Sequence, residues 1–344
     1  MSRAQLTSTV EQNTGGAVAP FVAGKNKIIN GDFRISQRGQ TFTSPTIGQY
    51  LLDRINLTYT NAYPTTYSVT QQAFTAGTAP VAGYEGQYFF RSTITTVGSS
   101  TTMQFQHPIE DVRTFAGQTV TMSFWAKADS ARTVSFYLNQ NPGSGGTGGG
   151  IINGGGANFT LSTAWQRYSF TLAVPSISGM TIGTGSYFGV LFAQAAASGS
   201  VLDIWGMQLE AGSVATPFTT ATGTLQGELE ACQRYYYRFV GSQTSGSTIA
   251  NICNASMQSA SAAVGIFEYP VQMRVAPSFS VNASAVGIVQ ISNGFAYPSP
   301  LTMLSNDLKR AQLKETTSGQ TTGFACMLGL GNQSNDYFEL SAEL

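Results

Sequence analysis

The chain has 344 residues, 38 of them glycine, and its 17 basic side chains balance its 17 acidic ones. Only 10% of residues are charged, whereas 42% are hydrophobic and 11% aromatic, so the chain can close a core and is not read as a disordered polyelectrolyte. A zero balance lacks the basic surface that nucleic acid requires and argues against an anionic membrane surface.

Residues 1–25 carry Gly15, Gly16, Pro20 and Gly24 and no hydrophobic period. They are read as an arm that orders only against a partner. The start has no apolar core of a signal peptide, and no run approaches the roughly 18 apolar residues of a membrane span, so no membrane insertion is expected. From residue 26, apolar and polar residues alternate with the period of half-buried strands. Strands are predicted over 27–33, 52–59, 67–74, 88–95, 103–109, 119–126, 133–138, 165–172 and 203–209. Their spacing predicts an all-β jelly-roll β-sandwich over 26–221.

The run Gly143-Ser144-Gly145-Gly146-Thr147-Gly148 fits G-x-G-x-x-G. A dinucleotide fingerprint needs a helix directly after it, and here more glycine follows, up to Gly156, before a strand pattern. It is read as a low-complexity loop.

Thr224–Tyr236 breaks the β pattern. Leu225, Leu229, Cys232 and Tyr236 recur at helical spacing, and Thr224 is placed to cap the N-terminus. A helix of this length, roughly 20 Å, does not persist alone in water. Residues 222–240 are therefore read as a helical linker, either capping its own sandwich or forming a three-helix neck. Alternation resumes over 262–269, 278–282, 287–291, 311–316, 323–330 and 337–344, which predicts a second, smaller β-sandwich domain over 241–344.

Catalytic motifs are thin. There is one histidine, His107, directly before Pro108, and no nucleophile elbow. Glu110 and Asp111 are neighbours, so on a strand they point to opposite faces, unlike the facing acids of a glycosidase. Cys232, Cys253 and Cys326 form no CxxC pair and are expected as free thiols. No enzyme activity and no catalytic residue are expected.

Three sets of motifs occur in order. The first is Asn26-Lys27-Ile28-Ile29-Asn30-Gly31-Asp32-Phe33 with Ser36-Gln37-Arg38-Gly39 and Leu52-Asp53-Arg54. The second is Phe124-Trp125-Ala126-Lys127-Ala128 with Trp165-Gln166-Arg167-Tyr168. The third is Gln208-Leu209-Glu210-Ala211-Gly212-Ser213 through Pro217-Phe218 with Cys232-Gln233-Arg234-Tyr235-Tyr236. Over residues 26–240 the chain resembles tail-fibre and minor structural virion proteins of tailed bacteriophages. Their first domain looks like the jelly roll of carbohydrate-binding modules of the 4/9 type.

The resemblance implies a non-enzymatic virion component assembled in the host cytoplasm. Its expected partners are copies of itself in a homotrimer, other virion proteins through residues 1–25, and a host cell-surface glycan. In that trimer Leu225, Leu229, Cys232 and Tyr236 would line the neck. A tail fibre or tail tip is the first placement, and a capsid-surface decoration or head fibre the alternative. A polysaccharide-degrading tailspike is disfavoured by the missing β-helix repeat. No cofactor is implied beyond a structural calcium, for which Asp32 and Asp203 are the candidates. Stacking on sugars needs exposed rings, for which Tyr63, Tyr67, Tyr84, Tyr88 and Trp125 are the candidates. The host-facing surface is expected beyond Phe239, on loops such as 241–247 and 290–300.

Overall fold

The computed structural model describes residues 24–60, 66–81, 84–97, 102–147, 152–195, 197–241, 250–282, 287–291, 294–296, 301–330 and 336–344. All of the expected N-terminal arm except Gly24 and Lys25 lies outside them, as do 242–249 and much of 283–300, where the host-facing loops are expected.

The alternating runs become strands wherever one face meets a core. In chain order these are β1 (Thr41–Thr43), β2 (Asn56–Thr60), β3 (Thr66–Ala73), β4 (Tyr88–Thr96), β5 (Thr102–Glu110) and β6 (Thr119–Ala128). They continue with β7 (Arg132–Asn141), β8 (Ile152–Leu161), β9 (Gln166–Ala173), β10 (Tyr187–Ala195) and β11 (Ser200–Ala211). They build two antiparallel sheets, ordered β1-β3-β4-β11-β6-β9 and β2-β5-β10-β7-β8. Inward side chains of both sheets interdigitate as a jelly-roll sandwich. Phe124 stacks on Phe136 at 3.9 Å, and Phe90 meets Phe105 and Phe192 at 5.1 and 5.3 Å between centroids.

Helix α1 (Leu225–Gln233) follows, then β12 (Tyr236–Val240), β13 (Ala250–Ser259), β14 (Ala262–Glu268), β15 (Ser278–Val281) and β16 (Gly287–Ile291). The last strands are β17 (Gly294–Ala296), β18 (Thr302–Asn306), β19 (Arg310–Thr316), β20 (Ala325–Leu330) and β21 (Tyr337–Ser341). A three-stranded sheet, β12-β21-β15, and a seven-stranded one, β17-β16-β20-β13-β14-β19-β18, share a second core that includes Met257, Phe267, Leu313, Leu328, Phe338 and Leu340. The fold is thus all-β: a jelly roll, one short helix and a smaller sandwich.

Four sequence expectations are corrected. Residues 27–33 form no strand but an irregular segment with a turn over 29–32, with Asn30 and Phe33 in the left-handed region at φ 59° and 57°. The Asn26 side chain holds this segment against β11, donating to the Met207 carbonyl at 3.1 Å and accepting from the Leu209 amide at 3.1 Å. Secondly, the glycines at 154–156 belong to β8 rather than to a loop. Thirdly, β10 was invisible as an alternation because seven consecutive residues, Phe188 to Gln194, are buried.

The fourth correction concerns the helix. Thr224 does cap it, its hydroxyl accepting from the Gly227 amide at 3.1 Å, but α1 stops at Gln233 and Tyr236 already belongs to β12. Cys232 and Tyr236 are buried within the protomer, while Leu225 is 52% exposed. The stripe therefore does not present one apolar face to other copies. The helix caps its own sandwich: buried Glu228 accepts from the Asn30 and Thr222 amides, both at 2.7 Å.

Candidate functional site

The outer face of the five-stranded sheet carries a trough built by register. One cross-strand row runs Asn56, Gln106, Leu191, Tyr137 and Gly156. The rows beside it hold Gln104, Ala193, Ser135 and Asn158 on one side, and Pro108, Gly189 and Asn139 on the other. The partner residues one step along each strand, such as Phe105, Phe136, Val190 and Phe192, point into the core. The trough encloses about 560 Å³ and is lined by Gln104, Tyr137, Leu138, Asn139, Gly155, Gly156 and Leu191. Among the described residues no lining residue is charged.

Small residues open it. A Cβ at Gly189 would collide with Asn139 Oδ1 and stand 2.5 Å from Gln106 Nε2. One at Gly156 would stand 2.8 Å from Tyr137 Cδ1. Gly155, at φ 101°, sits where the β7–β8 register slips between Leu138 and Asn139. The glycine tract is thus a wall that leaves the Tyr137 ring 40% exposed. Gln106 Nε2 and Asn139 Oδ1, a donor and an acceptor beside Gly189, are buried without a hydrogen-bond partner among the described residues, as is Asn56 Oδ1. A ring beside convergent amides is the equipment of a site for a polyhydroxylated ligand.

The rings picked from sequence lie elsewhere. Tyr67 is buried in the sandwich, its hydroxyl donating to the Pro45 carbonyl. Trp125 is 8% exposed, with Trp205 at 5.3 Å and the Arg167 guanidinium over it at 4.7 Å. Neither offers a face to a sugar. Tyr84 is half-buried against Trp205 and Phe218, and burial followed by the Asp32 carboxylate pushes its hydroxyl pKa up. Tyr88 is half-buried at the start of β4. Tyr63 lies outside the described residues. The signal that points to the trough instead is Tyr137 in an alternating strand that pairs with a glycine-rich one.

The two calcium candidates do not fit a cation. Asp32 is paired with Arg34 at 2.5 Å and accepts from the Tyr84 hydroxyl at 3.1 Å. Asp203 takes a bidentate pair from Arg91 at 2.7 and 2.8 Å, with Lys127 at 3.7 Å. Both carboxylates are already neutralised, and among the described residues no three His, Cys, Asp or Glu side chains converge.

The remaining motif residues make the joint between the sandwiches. Arg54 is 1% exposed, lies over the Tyr235 ring at 3.5 Å, donates to the Pro108 carbonyl at 2.6 Å and pairs with Glu343. Arg38 pairs with Glu343 at 3.0 Å and lies over Tyr236 at 3.5 Å. Buried Asp53 accepts from Gln37 at 2.6 and 2.7 Å, while burial pushes its pKa up. Arg234 meets Glu110 in a bidentate pair, which commits Glu110 to the joint.

The model of a carbohydrate binding domain family matches residues 55–184, the stretch that supplies most of both sheets of the first sandwich. No curated protein matches the chain. A putative sugar binding protein from Bacteroides thetaiotaomicron is similar at 13% identity, covering 54% of this chain and 100% of that one, with a TM-score of 0.36. The enzymatically active domain of bacteriophage CBA120 tailspike protein 4 is similar at 17% identity over 55% of this chain and 22% of that one, with a TM-score of 0.35. A xylan-binding domain from Paenibacillus barcinonensis is similar at 14% identity over 50% and 99%, with a TM-score of 0.31.

Proposed function

We propose that the protein binds a neutral glycan without cleaving it, in the trough over β5, β10, β7 and β8. The observation that carries this is the uncharged described lining around Tyr137, all of which except Leu191 falls inside the stretch that matches the carbohydrate binding domain. A pyranose stacks on the ring while its hydroxyls meet the lining amides of Gln104 and Asn139. Among the described residues no carboxylate lines the trough, so none of them supplies a pair of acids to flank a bound glycosidic bond. A glycan array probed with wild-type and Tyr137→Ala protein tests the reading. Retention on neutral glycans that falls at least tenfold in the variant supports it, and unchanged retention overturns it.

The sequence resemblance supports placing this binding on a virion, as a tail-fibre or tail-tip component that touches the host glycan. Cys232 and Tyr236 are buried within the protomer, so a homotrimer would not be built on that stripe, and a light-scattering mass of three chains would be the support for it. Immunogold labelling of particles tests the placement: label on tail or fibres supports it, and label on the capsid shell favours the head-fibre alternative.

A further inference from the structure

We propose that the cleft at the joint between the two sandwiches is a second binding site, for a short segment of neutral glycan. This takes only its ligand class from the function proposed above. The cleft encloses about 460 Å³, within the usual range of small-molecule sites. Its lining residues lie between Arg38 and Tyr50 and between Tyr236 and Ser341, all outside the stretch that matches the carbohydrate binding domain.

Two features define the ligand. The first is charge. Arg38 shares Glu343, at 3.0 Å, with Arg54 and also faces the Asp53 carboxyl, while Arg238 is matched by Glu339 at 3.1 Å. Burial would raise the Glu339 pKa, but hydrogen bonds from Tyr236, Ser280 and Arg238 outweigh it and hold Glu339 ionised below the ordinary carboxylate range. An anionic ligand would have to compete with both carboxylates, whereas a hydroxyl donates to a carboxylate and accepts from a guanidinium without breaking either pair.

The second feature is preorganisation. The Arg38 guanidinium lies 3.5 Å from the Tyr236 ring centroid and 5.3 Å from that of Tyr50, and Arg238 lies 4.0 Å from that of Tyr337. Arg238 also donates to the Arg38 carbonyl at 3.0 Å and the Tyr236 hydroxyl at 2.8 Å. These stacked planes fix the donors before any ligand arrives, which lowers the ordering cost of binding. The Arg38 side chain is 10% exposed, and its Nη1 is a buried donor that has no acceptor among the described residues. Tyr50 and Tyr337 are half-buried rings at the wall, and exposed Thr41 and Gln49 stand at the rim.

The test is calorimetric titration of the full chain with cellohexaose, xylohexaose and mannohexaose, and with trigalacturonate as the acidic contrast. The Tyr137→Ala protein, whose trough is disabled, is expected to keep one binding event with at least one neutral oligomer. Adding Gln49→Trp, which fills the rim from an exposed position, is expected to weaken that event at least tenfold. Tyr337→Phe keeps the ring and retains binding, and Tyr337→Ala loses it. The site is overturned if the Tyr137→Ala protein binds none of the neutral oligomers, if the added tryptophan changes nothing while the melting temperature holds, or if trigalacturonate binds more tightly. Wild-type binding lost with Tyr137→Ala alone sinks the cleft and leaves the trough standing. Binding lost only with Gln49→Trp does the reverse.

Discussion

Arg54 and Glu343, 289 residues apart, form an ion pair in which the arginine is 1% and the glutamate 7% exposed. Arg274 holds the same segment by donating to the Ala342 and Glu343 carbonyls, both at 2.7 Å. The Leu-Asp-Arg motif of the first sandwich and the strand end of the second are therefore one buried unit. Deleting one partner strands a desolvated charge. Glu343→Ala is expected to cost about 3–5 kcal/mol, read by urea denaturation. The double replacement Arg54→Met with Glu343→Leu is expected to cost less than the single one.

Gly206 sets the phase of β11. It stands at φ 65° where the register with β6 slips between Trp205 and Gln208. Before the slip Leu202 and Ile204 face the main core, and after it Met207 and Leu209 do. A Cβ here would stand 2.8 Å from Trp125 Cε3. Gly206→Ala is expected to cost about 1–2 kcal/mol through the left-handed backbone alone, with a red-shifted tryptophan emission as Trp125 and Trp205 are displaced. A melting temperature and spectrum equal to wild type would contradict it.

His107 points into the first sandwich and donates from Nε2 to the Ile29 carbonyl at 2.9 Å. Burial, followed by the Arg54 charge, lowers its pKa from 6.5 to about 3. Above pH 6.5 the imidazole is neutral in both states. Between 6.5 and 3 the unfolded chain takes up the proton first, so stability falls as pH falls through that window. The stability gap between wild type and His107→Gln is expected to narrow from pH 7.5 to pH 4.5 in thermal melts. A gap independent of pH would reject this.

The helix separates two residues that sequence treats alike. Leu225→Ser, at a half-exposed position, is expected to change stability by no more than about 0.5 kcal/mol and to leave the mass by light scattering unchanged. Glu228→Ala leaves the Asn30 and Thr222 amides without their acceptor and is expected to cost about 1–3 kcal/mol. A change of mass with Leu225→Ser would restore the neck.

The amino-acid sequence alone determined that the chain is all-β, that a jelly roll precedes a smaller sandwich, and that most strands lie where alternation puts them, because an outward polar residue beside an inward apolar one is a local signal. Its motifs also held real information, but of packing: Asp53, Arg54, Arg38, Tyr235 and Tyr236 join the sandwiches. Tertiary structure decided the rest. Parity leaves Trp125 and Trp205 ambiguous, because each directly follows an apolar neighbour, Phe124 or Ile204, and only the fold shows that a second layer of Phe74, Phe89, Trp165 and Phe218 covers them on the outer face of the six-stranded sheet. No strand period reports a layer supplied by distant segments. The trough depends on which residue of β8 faces Tyr137, and a one-residue slip at Gly155 sets that. Register is a pairing between strands, so neither strand carries it by itself.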